Sequence, residues 1–484
     1  MPGAFEINTV YDYIDQNLNK FVARIQEFVR QPSISAENKG VQEAARLLAS
    51  YFEKIGCQNV EVVPTKGHPV VYAELDSKAK TTLLVYMMYD TQPIDDEKLW
   101  ISPPFEANIV PLDLPSGKVS ALVGRGSVNS KGPLITFINA VEAIVNTLGK
   151  LPINLKFIAE GEEELGSPHL PDFVSEYKDK LKGAKATIFP SFLEDAWGKV
   201  KLSLGNKGIV YFELEASGKS WGKGPTEFDI HSSNKAWIDS PTWRLIDALS
   251  TMAKDNGRTI TIDGFYDDVA EPSEEDEELL KELAKSFEPE KIKETIKVKE
   301  FIFDENDKYN LLKKFLFSTT LNIDGIWSGY TGPGSKTVLP YKATCKVDVR
   351  LVPNQNDPNK IISLVRQHLD KHGYKDIEIR QLNGYKWSKT SVKHPVVQIA
   401  ISSIRSFNKS IEIWPLTAGS APMYLFNDIL EAPVVHIGLG HGARAHSPNE
   451  YIVIKGNRYV SGVDAAHKLF VKFLFDFGKS SNTT

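Results

Sequence analysis

The chain has 484 residues and a mass of 54.0 kDa, about three times a typical ~150-residue domain, so it has room for two domains and needs no disulfide staples to fold. Hydrophobic residues make up 42% and charged residues 25%, a globular composition that excludes global disorder. The 62 acidic and 57 basic side chains leave a net charge of -5, with no surplus of cations to neutralise a phosphate backbone or an anionic bilayer, so neither nucleic acid nor a membrane is expected as a partner.

Residues Met1 to Glu6 carry no basic segment followed by an apolar one, so no leader peptide is expected, and no apolar run approaches the ~20 residues of a membrane span. With only Cys57 and Cys345, at most one disulfide can form, and a reducing cytoplasm is the simpler setting. The first 200 residues alternate helix and strand signals. Val41, Ala45, Leu48, Phe52 and Ile55 recur at helical spacing before Gly56, a residue suited to a C-terminal cap. Strands are predicted at Val60–Val63, Val70–Leu75, Thr82–Met88 and Ile153–Ala159. Between the last two, Leu134–Leu148 reads as a helix apolar on most sides and buried in the packing of a sheet.

The texture changes beyond Lys201. Strands at Ile209–Ala216 and Thr344–Val352 and a helix at Pro241–Ala253 fit an antiparallel sheet with helices on one face. The acidic stretch from Asp267 to Asp307 reads as a solvated surface helix. Helix and strand alternation resumes after Asn383, with helices at Pro395–Ser406 and Val460–Phe477 bracketing a strand at Val434–Ile437, and the chain ends in a polar tail, Ser480 to Thr484. A chain that leaves one domain, builds another and returns contains an insertion. The predicted parts are residues 1–206, 207–385 and 386–484, the middle one being the inserted domain.

Four segments place special residues after apolar strands or in glycine-punctuated loops, where open sheets put their ligand sites. They are Met88-Tyr89-Asp90-Thr91-Gln92-Pro93, the glycine loop Gly124 to Pro133, the cluster Glu160-Gly161-Glu162-Glu163-Glu164, and Gly440 to Glu450 with His441 and His446. Consecutive carboxylates ending an apolar strand are costly unless a cation faces them. By itself the glutamate cluster fits a solvated turn as well as a metal or acid/base site; the histidine loop tilts the balance toward a metal.

These segments in this order, with Trp100 to Glu106, Asp229 to Ser232, Lys336 to Pro340 and Arg350 to Pro353, resemble the co-catalytic zinc exopeptidases of the aminoacylase, carboxypeptidase G and carnosine dipeptidase family, nearest the cytosolic nonspecific dipeptidase branch. The resemblance implies an α/β fold: a zinc-peptidase-like mixed sheet flanked by helices, with an inserted α+β lid that dimerises. It also implies five metal ligands. At three of their positions this chain has Met88, Asn129 and Ser191, where the family has histidine, a bridging aspartate and an acidic residue; only Glu164 and His446 remain.

By the same resemblance Glu163 matches the general base and Asp90 the carboxylate behind the missing histidine, while His231 and Arg350 match substrate-binding residues of the lid. Leu416 stands where many dipeptidases have an arginine, shortly before Gly419 and Ser420. One carboxylate against two divalent cations is a poor balance, and a thioether, an amide and a hydroxyl are poor zinc donors. The expectation is therefore no metal, or one divalent ion held weakly by Glu164 and His446, with Glu194 or Asp195 as candidates to replace Ser191. Two zinc ions are expected only if this charge argument fails. Two readings follow: a member with a degenerate site whose peptidase activity is absent or altered, or an active dipeptidase or aminoacylase-type hydrolase using a rearranged or single-metal site. A homodimer through the lid is expected. Because His231 and Arg350 lie in the lid and the lost ligands do not, the pattern also fits a mixed dimer with an active paralogue.

Overall fold

The computed structural model describes residues 4–480, so the polar tail predicted from Ser480 onward falls almost wholly outside the described residues. The chain divides into two units. The first comprises the residues up to Gly205, Lys389–Leu416 and those from Leu425 on; the second comprises Asn206–Ser388 and Thr417–Tyr424. The segment 417–424 was expected in the returning part of the first domain. It belongs to the second because the strand Thr417–Ser420 pairs in parallel with Asn206 and Lys207.

In the first unit, helices α1 (Ala4–Arg30), α2 (Val41–Lys54) and α3 (Gly132–Leu148) accompany strands β1 (Asn59–Val63), β2 (Val70–Leu75), β3 (Thr82–Met88), β4 (Asn108–Leu114), β5 (Gly117–Val123), β6 (Asn154–Glu160) and β7 (Thr187–Pro190). The central sheet has the order β1-β2-β6-β3-β7 followed by Val434–Ile437. β1 and β2 are antiparallel additions at one side, and the other four strands run parallel. Every residue of α3 from Gly132 to Ile144 is buried, because this helix packs against α1 and the C-terminal helix Val463–Ser480.

A second, four-stranded antiparallel sheet of order Gly442–Ala443, Tyr451–Lys455, β5, β4 has no counterpart in the sequence reading. It decides the site. Pairing of Tyr451 with Val123 sets the glycine loop, which follows β5, beside the histidine loop, which precedes Tyr451.

The second unit is built on an antiparallel sheet of order Thr320–Ser328, Lys342–Leu351, Gly205–Ser217, Glu378–Tyr385. Alternate residues such as Phe212, Leu214, Val347 and Val349 meet Leu245, Ala248 and Met252 of helix Pro241–Met252 and Ile361, Val365 and Leu369 of helix Pro358–Lys371 in one core. The acidic stretch forms not one helix but two, Glu274–Ser286 and Pro289–Ile296, since Pro289 cannot continue the first. Ser273 and Asp276 close a capping box at the start of the first helix, and Leu280 and Leu283 give it a buried face, so it is solvated on one side only.

A buried histidine makes the first unit sensitive to acid. His467 stacks on Phe21 with ring centroids 5.3 Å apart, places Nδ1 on the carbonyl of Val463, and has Nε2 3.2 Å from Asn139 Nδ2, an amide donor. Nε2 must therefore accept, the ring is neutral, and burial pulls its pKa down to about 3. A histidine whose folded pKa lies below its unfolded value stabilises fully above pH ~6.5 and loses that contribution, about 1.4 kcal/mol per pH unit, as the pH falls from there toward the folded value. Urea unfolding from pH 7.5 to 5 should show this loss, and His467→Gln should be less stable at pH 7.5 but flatter with pH.

Candidate active site

Strands β6, β3 and β7 are adjacent and parallel, so their carboxyl ends fall on one edge of the sheet. Met88 ends β3 opposite Glu160, which ends β6, and Ser191 follows β7 directly. Asp90, two residues beyond β3, is wholly buried. Its Oδ1 accepts the Glu163 amide at 3.1 Å; its Oδ2 accepts the Glu164 amide at 3.0 Å and the Ser35 hydroxyl at 2.8 Å. With no imidazole beside it, this carboxylate holds the turn of the glutamate cluster. Burial, followed by the charge of Glu164, pushes its pKa up to about 7 against those hydrogen bonds.

The glutamate cluster is not a solvated turn. Glu160 is buried, receives the hydroxyls of Tyr86 and Ser167, and is pushed up to about 8 by burial. Glu162 is turned toward His169, 2.7 Å away. Glu163 and Glu164 are left for the site. Burial and then Glu164, Asp90 and Glu160 hold the Glu163 carboxyl well above the usual range, which disfavours its charged form.

Glu164 is the centre of a hydrogen-bonded cluster. Gln92 Nε2 donates to its Oε2 at 2.8 Å, and Asn129 Nδ2 donates to its Oε1 at 2.8 Å. His446 Nε2 lies 3.1 Å from Oε2 and 3.0 Å from Asn129 Nδ2. The hydrogen bond to Glu164 raises the His446 pKa. The fold thus brings Asn129, Glu164 and His446 together and adds Gln92, which sequence reasoning passed over although it stands two residues after Asp90.

Glu450 was also missed as a working residue. It is fully buried, and its Oε2 accepts Arg125 Nη1 at 2.8 Å and the Gly126 amide at 3.0 Å; its Oε1 accepts the amides of Val128 at 3.0 Å and Asn129 at 2.9 Å. One carboxylate therefore fixes the glycine loop. Arg125 also faces the ring of Trp100 at 5.4 Å. Lys131, buried over the Phe28 ring at 5.2 Å with Nζ on the Gln31 carbonyl, is pulled down to about 7 by burial. A carboxylate closing a glycine-rich histidine loop, and a lysine at the start of a buried helix, were the available signals for both.

The expected replacements for Ser191 are engaged elsewhere. Buried Glu194 accepts Lys409 Nζ at 3.1 Å and the Ser461 amide at 2.8 Å, and its carbonyl takes His441 Nδ1 at 2.7 Å. Asp195 Oδ1 accepts the amides of Trp197 and Lys199 at 2.9 and 3.0 Å. Neither can stand in for Ser191, whose own hydroxyl donates to the Phe189 carbonyl at 3.3 Å. His441, held between the Glu194 carbonyl and the Tyr451 hydroxyl, is structural.

In the second unit, exposed His231 contacts Ser233 Oγ at 2.8 Å through Nδ1 and Thr337 Oγ1 at 3.1 Å through Nε2. Arg350 donates from Nε to Asp348 at 2.9 Å and from Nη1 to Ser420 at 2.8 Å. Leu416, in the first unit, is fully buried.

Residues 84–474 match the peptidase family M20/M25/M40. The chain belongs to that family. It is 26% identical to the Cys-Gly metallodipeptidase dug1 of Schizosaccharomyces pombe over 98% of this chain and 99% of that one, and 28% identical to the human Beta-Ala-His dipeptidase over 98% and 93%. Among solved structures, an M20 family metallo-carboxypeptidase from Sulfolobus solfataricus matches with a TM-score of 0.83 at 35% identity, covering 95% of this chain and 99% of that one; human carnosine dipeptidase 1 matches with 0.80 at 26% identity, covering 98% and 100%. The M20 fold, a mixed α/β unit with an inserted second unit, and the resemblance to dipeptidases are thereby established.

Members of the family imply a pair of zinc ions, and the donors present in this chain do not fit them. Among the described residues no group of three or more His, Cys, Asp or Glu side chains is placed to hold a metal ion. The Asn129 N–H2 group lies 2.8 Å from Glu164 Oε1 and 3.0 Å from His446 Nε2, the two residues that the resemblance leaves as ligands. No helix among the described residues is long and apolar enough to cross a membrane, and Cys57 and Cys345 are both free.

Proposed function

We propose that this M20 chain is a member with a degenerate di-metal site, whose peptidase activity is absent or strongly altered, and that it acts as a binding or scaffolding protein. The observation that carries this reading is the Asn129 amide donating to Glu164 beside His446. A di-zinc peptidase needs its cations to activate water and polarise the scissile carbonyl. Glu163 would then be a base with no metal-bound water to deprotonate, and its raised pKa already disfavours the anionic form a base requires. What remains suits binding: the Arg350 guanidinium, steadied by Ser420, offers a cationic partner for a carboxylate, and His231 with Thr337 offers a second polar pair. The test is elemental analysis of the purified protein together with hydrolysis of Cys-Gly and β-Ala-His under added zinc, cobalt or manganese. We expect less than one ion per chain and no turnover above background. Two tightly bound ions with metal-dependent hydrolysis would establish the alternative, an active hydrolase.

Assembly as a homodimer through residues 207–385 is part of the same proposal. Thr320–Ser328 is the edge strand of its sheet and exposes Ile323, Ile326 and Trp327, while the helix Pro241–Met252 exposes Trp243 and Ile246. Exposed apolar edges are normally covered, and a twofold axis covers such an edge with its own copy. Light scattering at micromolar concentration should give the mass of a dimer, and Ile326→Lys with Trp327→Glu should give a monomer; a monomeric parent would sink the proposal. A mixed dimer with a catalytically competent paralogue would use the same edge, and co-expression followed by affinity capture of the pair tests it.

A further inference from the structure

We infer that a single side-chain amide, that of Asn129, is the lock that keeps metal out of this site, and that the losses at Met88 and Ser191 are secondary to it. The inference rests on the reading of the site as degenerate, and it goes further in assigning the block to one atom group. Its basis is the direction in which the amide points. Asn129 Oδ1 accepts the Ser130 hydroxyl at 3.2 Å, and Nδ2 donates to Glu164 Oε1 at 2.8 Å. The reverse orientation would set a carbonyl oxygen against a carboxylate oxygen, two acceptors with no proton between them. The backbone of Asn129 is fixed as well, since its N–H donates to buried Glu450 at 2.9 Å. The amide cannot turn away without breaking both contacts.

The donor occupies Glu164, and His446 is tied to the same carboxylate. Nδ2 donates to Glu164 Oε1 at 2.8 Å, while His446 Nε2, 3.1 Å from Glu164 Oε2 and 3.0 Å from Nδ2, spends its N–H on that carboxylate and has no lone pair there for a metal. Gln92 Nε2 also donates to Oε2, at 2.8 Å. A zinc ion approaching this pair would have to displace a hydrogen-bonded donor and would gain only two protein ligands, fewer than the three or four that zinc sites use. Replacing the amide by a carboxylate changes both terms. It removes the donor, and it supplies a third ligand from a backbone already held in place. Met88→His and Ser191→Asp each leave the donor where it is.

The experiment compares zinc binding to the full-length parent, Asn129→Asp, Met88→His and Ser191→Asp by calorimetry and by competition with a chromophoric chelator. Melting curves in zinc and in EDTA serve as a second readout. Asn129→Asp is expected to bind one zinc ion at least 100-fold more tightly than the parent, to melt below the parent in EDTA because two carboxylates then face each other, and to recover in zinc. The other two single variants are expected to stay within threefold of the parent. Should Asn129→Asp fail to fold without metal, Asn129→Ala removes the donor without adding charge and is expected to gain at least tenfold in zinc affinity. A parent that holds no zinc, with no gain in either Asn129 variant, overturns the lock and leaves the degenerate-site reading standing. A parent that binds two zinc ions tightly overturns both.

Discussion

Combining Met88→His, Asn129→Asp and Ser191→Asp should convert the chain into a two-metal protein, with zinc affinity raised over the parent on the order of a thousandfold, or about 4 kcal/mol. The sheet sets the positions. Met88 and Ser191 lie at the carboxyl ends of neighbouring strands, and Asn129 already touches Glu164 and His446. The variant raises the carboxylates available to the ions from one to three, which restores the charge balance that two divalent cations require. Met88 is 2% exposed, so an imidazole of similar bulk enters an existing space, and Asp90, two residues on and holding Ser35 and two backbone amides, is the carboxylate to orient it. Elemental analysis after dialysis against limiting zinc gives the stoichiometry. If the triple variant retains no more zinc than the parent, the pocket has closed around its amide cluster and the positions no longer define a metal site.

Glu450→Ala should cost about 3–5 kcal/mol of stability, the range for removing one partner of a buried ion pair. Four donors converge on this carboxylate, and its loss strands three amides of the glycine loop and the Arg125 guanidinium in a buried place. Arg125 would keep only the Pro93 carbonyl at 3.3 Å and the Trp100 ring. Glu450→Gln should recover only part of the loss, because an amide presents a donor to groups that are themselves donors. Urea denaturation of both variants beside Glu431→Ala, a change at an exposed position, separates the effect from a general loss of negative charge. A Glu450→Ala protein as stable as the Glu431→Ala control would show that the loop is held by something other than this carboxylate.

Much of the fold was legible in the chain because buried parallel strands and amphipathic helices write their periods locally. The strands Val70–Leu75, Thr82–Met88 and Val434–Ile437 fall where β-rich apolar runs predicted them, and α3 spans the helix read from Leu134 to Leu148 with two further residues at its start. The hairpin β4–β5 and the strand Tyr451–Lys455 were not read. The hairpin is local, but the pairing of Tyr451–Lys455 with β5 spans more than three hundred residues, so no local signal announces it.

The division is the same at the site. The sequence determined which residues stand where the family resemblance implies an imidazole and two carboxylates, namely a thioether at Met88, an amide at Asn129 and a hydroxyl at Ser191; that is a matter of identity and charge. Only the tertiary structure decided what the survivors do. It committed Glu194 to Lys409 and Ser461 and Asp195 to its own turn, because a buried carboxylate must find donors wherever the backbone offers them. It also turned the Asn129 amide onto Glu164 beside His446, since a hydrogen bond between residues 35 apart in sequence, and a contact between residues 317 apart, depend on a sheet that closes long after the residues themselves are read.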